Sequence, residues 1–203
     1  MQELRDKGKA LENITAEAEL VDRAVRSDPD ATAVLLANVR PGVVKYCRAR
    51  LGRIGGAYTT ADDVAQEVCL AVLRALPRFR DQGRPFAAFV YGIAAHKVAD
   101  AQRAAIRDRA VTPVDTMVDR PDAAPGPEQQ AIATDLARRL SRLLAHLSDT
   151  PREIIVLRVA VGLSAEEVGA VLGMSAAAVR VAQSRALARL RILARNTFDE
   201  VPA

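Results

Sequence analysis

Five arginines, Arg180, Arg185, Arg189, Arg191 and Arg195, stand between Ser175 and Arg195 with no acid among them, and Arg40, Lys45, Arg48, Arg50 and Arg53 share a second acid-free stretch. Rows of positive charge suit contact with a phosphate backbone, although a solvated helix face explains any single arginine as well. A different chemistry is offered between residues 79 and 97. Four of the chain's seven aromatics (Phe79, Phe86, Phe89 and Tyr91) alternate there with Arg80, Arg84 and Lys97, and Arg78 precedes them. Rings that stack on unpaired bases and cations that hold phosphates are what single-stranded nucleic acid needs. Asp62, Asp63 and Glu67, with His96 far along the chain, are the nearest approach to a catalytic set. Without a glycine-rich phosphate loop or a nucleophile motif they argue poorly for an enzyme, and none is expected. Cys47 and Cys69 lie 22 residues apart, form no CxxC pair, and have only His96 and His146 to join them. They read as two reduced, partly buried thiols, with no metal and no cofactor expected.

The elements that must position these groups read as all helical. Helix formers dominate, and no run alternates in the manner of a half-buried strand. The 203 residues allow one medium or two small domains. They are 50% apolar, 27% charged and only 3% aromatic, with a net charge of +4. That composition suits a folded globular chain. The longest uncharged runs, Pro85 to His96 and Val168 to Val179, are 12 residues each, short of the ~18 that would mark a membrane span. The amino-terminal residues mix charges and lack the apolar stretch of a secretory signal, so a cytoplasmic protein is expected.

Between Val111 and Pro127, Pro113, Pro121, Pro125, Gly126 and Pro127 stand among Asp and Ala, which reads as a flexible linker. It separates two small helical domains, 20–109 and 128–195, leaving 1–19 as an extension, 110–127 as the linker and 196–203 as a tail. In the first domain the spacing predicts helices near 15–27, 30–39, 41–52, 60–76 and 86–107. Thr60 with Asp63 forms a cap at the start of the fourth, and Pro77 marks its exit. In the second domain, Thr150-Pro151 reads as a cap followed by proline at the first helical position, opening a helix that ends near Val161.

The most specific pattern follows. Ser164 and Glu167 form a capping box, Leu163, Val168, Val171 and Leu172 one apolar face, and Gly173 a stop; a second helix begins behind Ser175. With Val179 and Leu187 turned inward and Arg180, Gln183, Ser184 and Arg185 outward, the pair matches a helix-turn-helix whose second helix reads the major groove. Arginine pairs with guanine, glutamine with adenine, and serine with base or phosphate. A plain helical hairpin explains the caps but not the acid-free arginines.

Taken together, Ala61-Asp62-Asp63-Val64-Ala65-Gln66-Glu67-Val68, the Phe79–Asp100 segment and the Leu147–Arg191 block with Pro151-Arg152-Glu153 and Gly162-Leu163-Ser164 resemble the extracytoplasmic-function group of bacterial sigma factors, the promoter-recognition subunits of RNA polymerase. The resemblance runs from about residue 20 to 195. Gly92 through Asp100 and Val179 through Gln183 are most similar to the sigma-D and ShbA types of actinobacteria. The resemblance implies that Asp62, Asp63, Gln66, Glu67 and Leu70 dock on the β′ clamp helices of core RNA polymerase. It implies that Arg80, Asp81, Gln82, Gly83 and Arg84 capture a flipped base of the −10 element, with His96 and Lys97 beside melted DNA. Ser175, Ala176, Arg180, Gln183, Ser184 and Arg185 would then meet the −35 duplex, and the second domain the β flap. Many family members carry Trp where this chain has Phe89, which weakens an aromatic wedge there; Phe86, Phe89 and Ile93 read better as core. The linker acids Asp115, Asp119 and Asp122 would thread toward the polymerase channels or simply tether. The resemblance also brings an anti-sigma factor as a partner of many members, for which this chain holds no separate pattern. The alternative is a stand-alone helix-turn-helix regulator, which leaves residues 61–100 without a role; a helical scaffold would leave the arginines without one.

Overall fold

The computed structural model describes residues 16–51, 60–81, 83–111 and 139–198, and every regular element among them is helical. Helix α1 covers the described residues 16–25, α2 runs Pro29–Leu51, α3 Ala61–Ala75 with a short 3-10 turn at Leu76–Arg78, and α4 Phe86–Val111. After 112–138, α5 covers the described residues 139–145, α6 runs Asp149–Ile155 and continues as a π-helical turn at Val156–Val161, and α7 (Ala165–Leu172) precedes α8 (Ala176–Phe198). None of the described helices is long and apolar enough to cross a membrane.

The first break is local chemistry. Ser27 takes a left-handed φ of 67° to end α1, and Asp28 Oδ1 then accepts from the backbone N–H groups of Asp30 and Ala31, both at 3.0 Å. Pro29 follows the cap at the first helical position, where its missing N–H costs nothing. The Ala31 N–H, followed by Arg23, holds the Asp28 carboxyl below its ordinary value.

The two helices expected at 30–39 and 41–52 are one, because α2 passes through Pro41. A proline inside a helix removes one backbone bond at about 3 kcal/mol. Packing on both sides outweighs that cost: Ala31 and Leu35 before it, and Val43, Tyr46, Cys47 and Leu51 after it, are buried in the same core. Gly42 serves the same packing, since a Cβ there would overlap the hydroxyl of buried Tyr91. The Thr150 cap is also corrected. Helix α6 starts at Asp149, behind Ser148. Its first bond runs from Arg152 N to Ser148 O at 3.1 Å, and the Arg152 side chain takes the carbonyls leaving α5, Nε donating to Leu144 O at 2.9 Å and Nη2 to Leu147 O at 2.7 Å and Ala145 O at 3.1 Å.

Val43, Tyr46 and Cys47 of α2, Val64, Val68 and Val72 of α3, and Val90, Ala94 and Val98 of α4 fill the centre at helical spacing. Ile154, Val156, Leu157, Ala165, Val168 and Val179 from beyond the 112–138 segment belong to the same cluster, so the two halves share an apolar core. A smaller cluster of Leu144, Leu147, Ile155 and Ala186 closes the far side of the carboxy-terminal half. At the seam the Tyr46 hydroxyl donates to Glu153 Oε1 at 2.6 Å, and Glu153 Oε2 lies 3.0 Å from Arg50 Nε. That nitrogen and Arg50 Nη1 are buried without hydrogen-bond geometry to any acceptor.

Both cysteines are free and Cys69 is partly buried, as the sequence leads one to expect, whereas Cys47 is fully buried. Burial, first, and then Cys69 and Asp62 push the Cys47 thiol up to about 12; burial also raises Cys69. The thiolate is the reactive form. In native protein at pH 8, iodoacetamide is therefore expected to alkylate Cys69 before Cys47, with Cys47 modified only on unfolding. Peptide mass spectrometry over time checks the order, and Cys47 labelling first would contradict it.

Candidate functional site

Helix α3 presents the first set of candidate residues. Thr60 and Asp63 close a reciprocal cap: Asp63 N donates to Thr60 Oγ1 at 3.2 Å and Thr60 N to Asp63 Oδ2 at 2.9 Å. With Val64, Ala65, Val68 and Val72 buried, Asp62, Asp63, Gln66, Glu67 and Leu70 emerge together on the solvent side. Arg48 clasps Asp62 through two bonds of 2.9 and 2.7 Å, and Lys97 Nζ of α4 reaches Glu67 Oε2 at 3.1 Å. Leu73, missed in the sequence, extends the stripe; it is 39% exposed beside Leu70 at 44%. Its signal was the spacing of three from Leu70, which puts both on one face. The acid-free stretch 40–53 does not form one phosphate-facing row, because Arg48 and Arg50 serve Asp62 and Glu153 within the molecule. Arg53 lies outside the described residues.

The second set surrounds the turn before α4. Arg80 Nη1 donates to Phe79 O at 3.0 Å and Pro77 O at 3.3 Å, and Asp81 Oδ1 accepts from Gly83 N at 2.8 Å, a turn that Gly83 completes at φ 73°. Arg84 and His96 are exposed and Lys97 is half-buried; Gln82 lies outside the described residues. Phe86 and Phe89 pack on each other and on Phe79 with centroids 5.0 to 5.7 Å apart, and Ile93 packs against the same core, which supports the reading of Phe86, Phe89 and Ile93 as core. The turn lines a cavity of about 960 Å³, whose other walls include Glu17 and Asp22 of α1 and Ser164 and Glu167 at the start of α7. Burial, then Glu167, raises the Glu17 carboxyl above its ordinary value.

The third set is the helix-turn-helix. Ser164 N donates to Glu167 Oε2 at 2.6 Å and Glu167 N to Ser164 Oγ at 3.1 Å, the capping box read from the sequence. Gly173 ends α7 at φ 69°, with Met174 N donating to Gly169 O at 2.9 Å. A Cβ on Gly169 would lie 2.5 Å from the Met174 carbonyl oxygen, which is backbone and cannot swing aside. Gly169→Ala is therefore expected to destabilise the carboxy-terminal half by about 1–3 kcal/mol, as overpacking does. Urea unfolding with an unchanged midpoint would contradict this.

Ser175 Oγ caps α8 by accepting from Ala178 N at 3.2 Å, and Ala176 is half-buried behind it. Val179 and Ala186 point inward, while Arg180, Ser184 and Arg185 are exposed. Arg180 pairs with Glu166, whose carboxyl is held below its ordinary value by its own backbone N–H first and then by Arg180. Gln183 is half-buried and accepts from Arg158 Nε at 3.0 Å. Arg185, Arg189, Arg191 and Arg195 are all exposed and form no ion pair among the described residues. A helix so arranged offers guanidinium groups to phosphates and base edges.

Two family models match: sigma-70 region 2 over residues 35–108 and sigma-70 region 4 over residues 137–190. The ECF RNA polymerase sigma factor ShbA of Streptomyces griseus is 57% identical over 178 residues, 86% of this chain and 93% of that protein. The chain belongs to the extracytoplasmic-function group of sigma-70 family sigma factors. SigD of Mycobacterium tuberculosis is likewise 55% identical to this sigma factor over 184 residues, 91% of this chain and 84% of that protein. The solved structure of CnrH in complex with the cytosolic domain of CnrY superposes with a TM-score of 0.65 at 29% identity, covering 89% of this chain and 98% of that one. As a sigma factor the protein acts with RNA polymerase in promoter-specific initiation, and the stand-alone regulator is not favoured.

Proposed function

We propose that the three surfaces divide the work of initiation. The α3 face (Asp62, Asp63, Gln66, Glu67, Leu70 and Leu73) docks on the β′ clamp helices, its acids meeting cations and its two leucines giving apolar contact. The turn from Arg80 to Arg84 accepts a base extruded from the −10 element, with His96 and Lys97 along the strand. The outer face of α8 (Ser175, Ala176, Arg180, Gln183, Ser184 and Arg185) reads the −35 duplex, and the carboxy-terminal domain rests on the β flap. The observation that carries the reading is the row of exposed arginines on the second helix of a helix-turn-helix, of which Arg185, Arg189, Arg191 and Arg195 form no ion pair among the described residues.

In the described arrangement Glu166 holds Arg180, and α7 walls the cavity beside the −10 turn with Glu167. Engagement of both promoter elements then requires the units 20–109 and 128–195 to part, with core polymerase setting their separation. No covalent step falls to the chain, which acts as an initiation factor and not as an enzyme, in the cytoplasm. An anti-sigma factor is a fitting partner for a member of this group.

The test of docking is a Leu70→Ser, Leu73→Ser double variant. Burying a leucine side chain is worth ~1.5–3 kcal/mol, so losing even part of two should weaken core binding about tenfold or more. Both side chains are exposed in the free protein, so its melting should change little. Affinity for core polymerase equal to that of the unsubstituted protein would refute this assignment.

A further inference from the structure

Helix α8 carries an apolar row that the charges around it obscure. Val181 is 50% exposed, one turn before Arg185 and one turn after Ala177 and Ala178, and all four share one face. Together with Leu147 and Pro151 at the start of α6 they line a groove of about 620 Å³. Among the described residues no acid lines that groove, and Arg185 and Arg189 both border it. Its occupant should therefore be apolar at the contact and negatively charged around it. The first turns of a reader helix are the part that meets base edges, and small alanines let the backbone come close. Only one base edge in the major groove carries a methyl group, that of thymine, and alanine-like or branched apolar side chains are its partners.

The geometry points to Val181, flanked by Ala177 and Ala178, as a specificity-determining residue that recognises the 5-methyl group of a thymine in the −35 element, with Arg185 pairing a neighbouring guanine. This rests on the reading of α8 as the −35 reader.

Holoenzyme assembled from the full chain and core RNA polymerase is first used to select a −35 sequence from a randomised duplex library. Each thymine of the selected element is then replaced singly by deoxyuridine, which removes only the methyl group, and binding is measured by competition. One position is expected to lose about fourfold in affinity, the worth of one buried methyl group. In Val181→Ser that dependence should vanish, whereas in Arg185→Ala it should persist on a lower total affinity. No methyl-dependent thymine, or a dependence that survives Val181→Ser, overturns the inference. So does a Val181→Ser variant that loses affinity for core polymerase with its methyl dependence intact, which would make the groove a protein-docking surface. Selection of no −35 sequence at all sinks both this inference and the role of α8, and is recognised by that absence.

Discussion

Glu153→Ala should lower the melting temperature of the free sigma factor on the order of 10 °C, because breaking a buried pair by removing one partner costs ~3–5 kcal/mol and each kcal/mol is worth ~2–4 °C in a chain of this size. The Arg50 side chain is only 15% exposed and Glu153 12%, so both charges are largely shielded from water. Two of the Arg50 nitrogens already lack hydrogen-bond geometry to an acceptor, and Glu153 is the anion beside them. The Tyr46 hydroxyl loses its acceptor at the same stroke. If the two halves part before they unfold, Arg50 becomes hydrated and the loss in melting temperature is smaller, but the radius of gyration by X-ray scattering must then rise. Unchanged melting with an unchanged radius would contradict the role given to this cluster. Replacing Tyr46, Arg50 and Glu153 together by Phe, Met and Leu should recover most of the stability, since an apolar seam carries no desolvation cost.

Arg152→Met is the second large effect expected. The guanidinium donates to three carbonyls, those of Leu144, Ala145 and Leu147, and thereby joins the end of α5 to α6. Hydrogen bonds to a charged group contribute ~1.5–3 kcal/mol each, though bonds that share one side chain do not add fully, so a loss of about 2–4 kcal/mol is expected. Methionine keeps the apolar stem and removes only the donors. The small cluster of Leu144, Leu147, Ile155 and Ala186 lies beside these carbonyls, so the loosening should reach the middle of α8. Amide hydrogen exchange is the direct readout: α5 and α6 should lose protection well before α3 does. Equal protection of α5 in the variant and the parent would show that the carbonyls find other donors.

These two residues mark where the sequence was legible and where it was not. The capping boxes at Thr60–Asp63 and Ser164–Glu167 were readable because each is a bond between groups three residues apart, set by backbone geometry alone. The glycine stop at Gly173 was readable for the same reason. Pro41 misled because its local cost is real, and only the burial of α2 on both sides of it overrides that cost. Thr150-Pro151 misled because a proline after a threonine fits a helix start, whereas the first bond of α6 runs from Arg152 N to Ser148 O, so that the helix begins one residue before Thr150, at Asp149.

The site residues divide in the same way. The exposed stripe of α3 and the outward Arg180, Ser184 and Arg185 of α8 followed from periodicity, which says which face a side chain lies on, whereas Gln183, read as outward, is half-buried against Arg158. What each side chain holds depends on partners distant in the chain: Arg48 with Asp62, Lys97 with Glu67, Arg158 with Gln183, and above all Arg50 with Glu153. The shared core of the two halves was hidden for a related reason. Ile154, Leu157 and Val168 announce an apolar face, but an apolar face does not name what covers it.

The most direct measurement is transcription in vitro with purified actinobacterial core RNA polymerase on pooled genomic promoter fragments, with and without this protein, mapping the 5′ ends of the RNA. New start sites that share one −35 and one −10 motif, lost together in the Leu70→Ser, Leu73→Ser variant, are the expected result. Duplex DNA bound by the protein alone, with no binding to core polymerase and no new start sites, would contradict it and leave the 61–100 residues without the roles assigned to them.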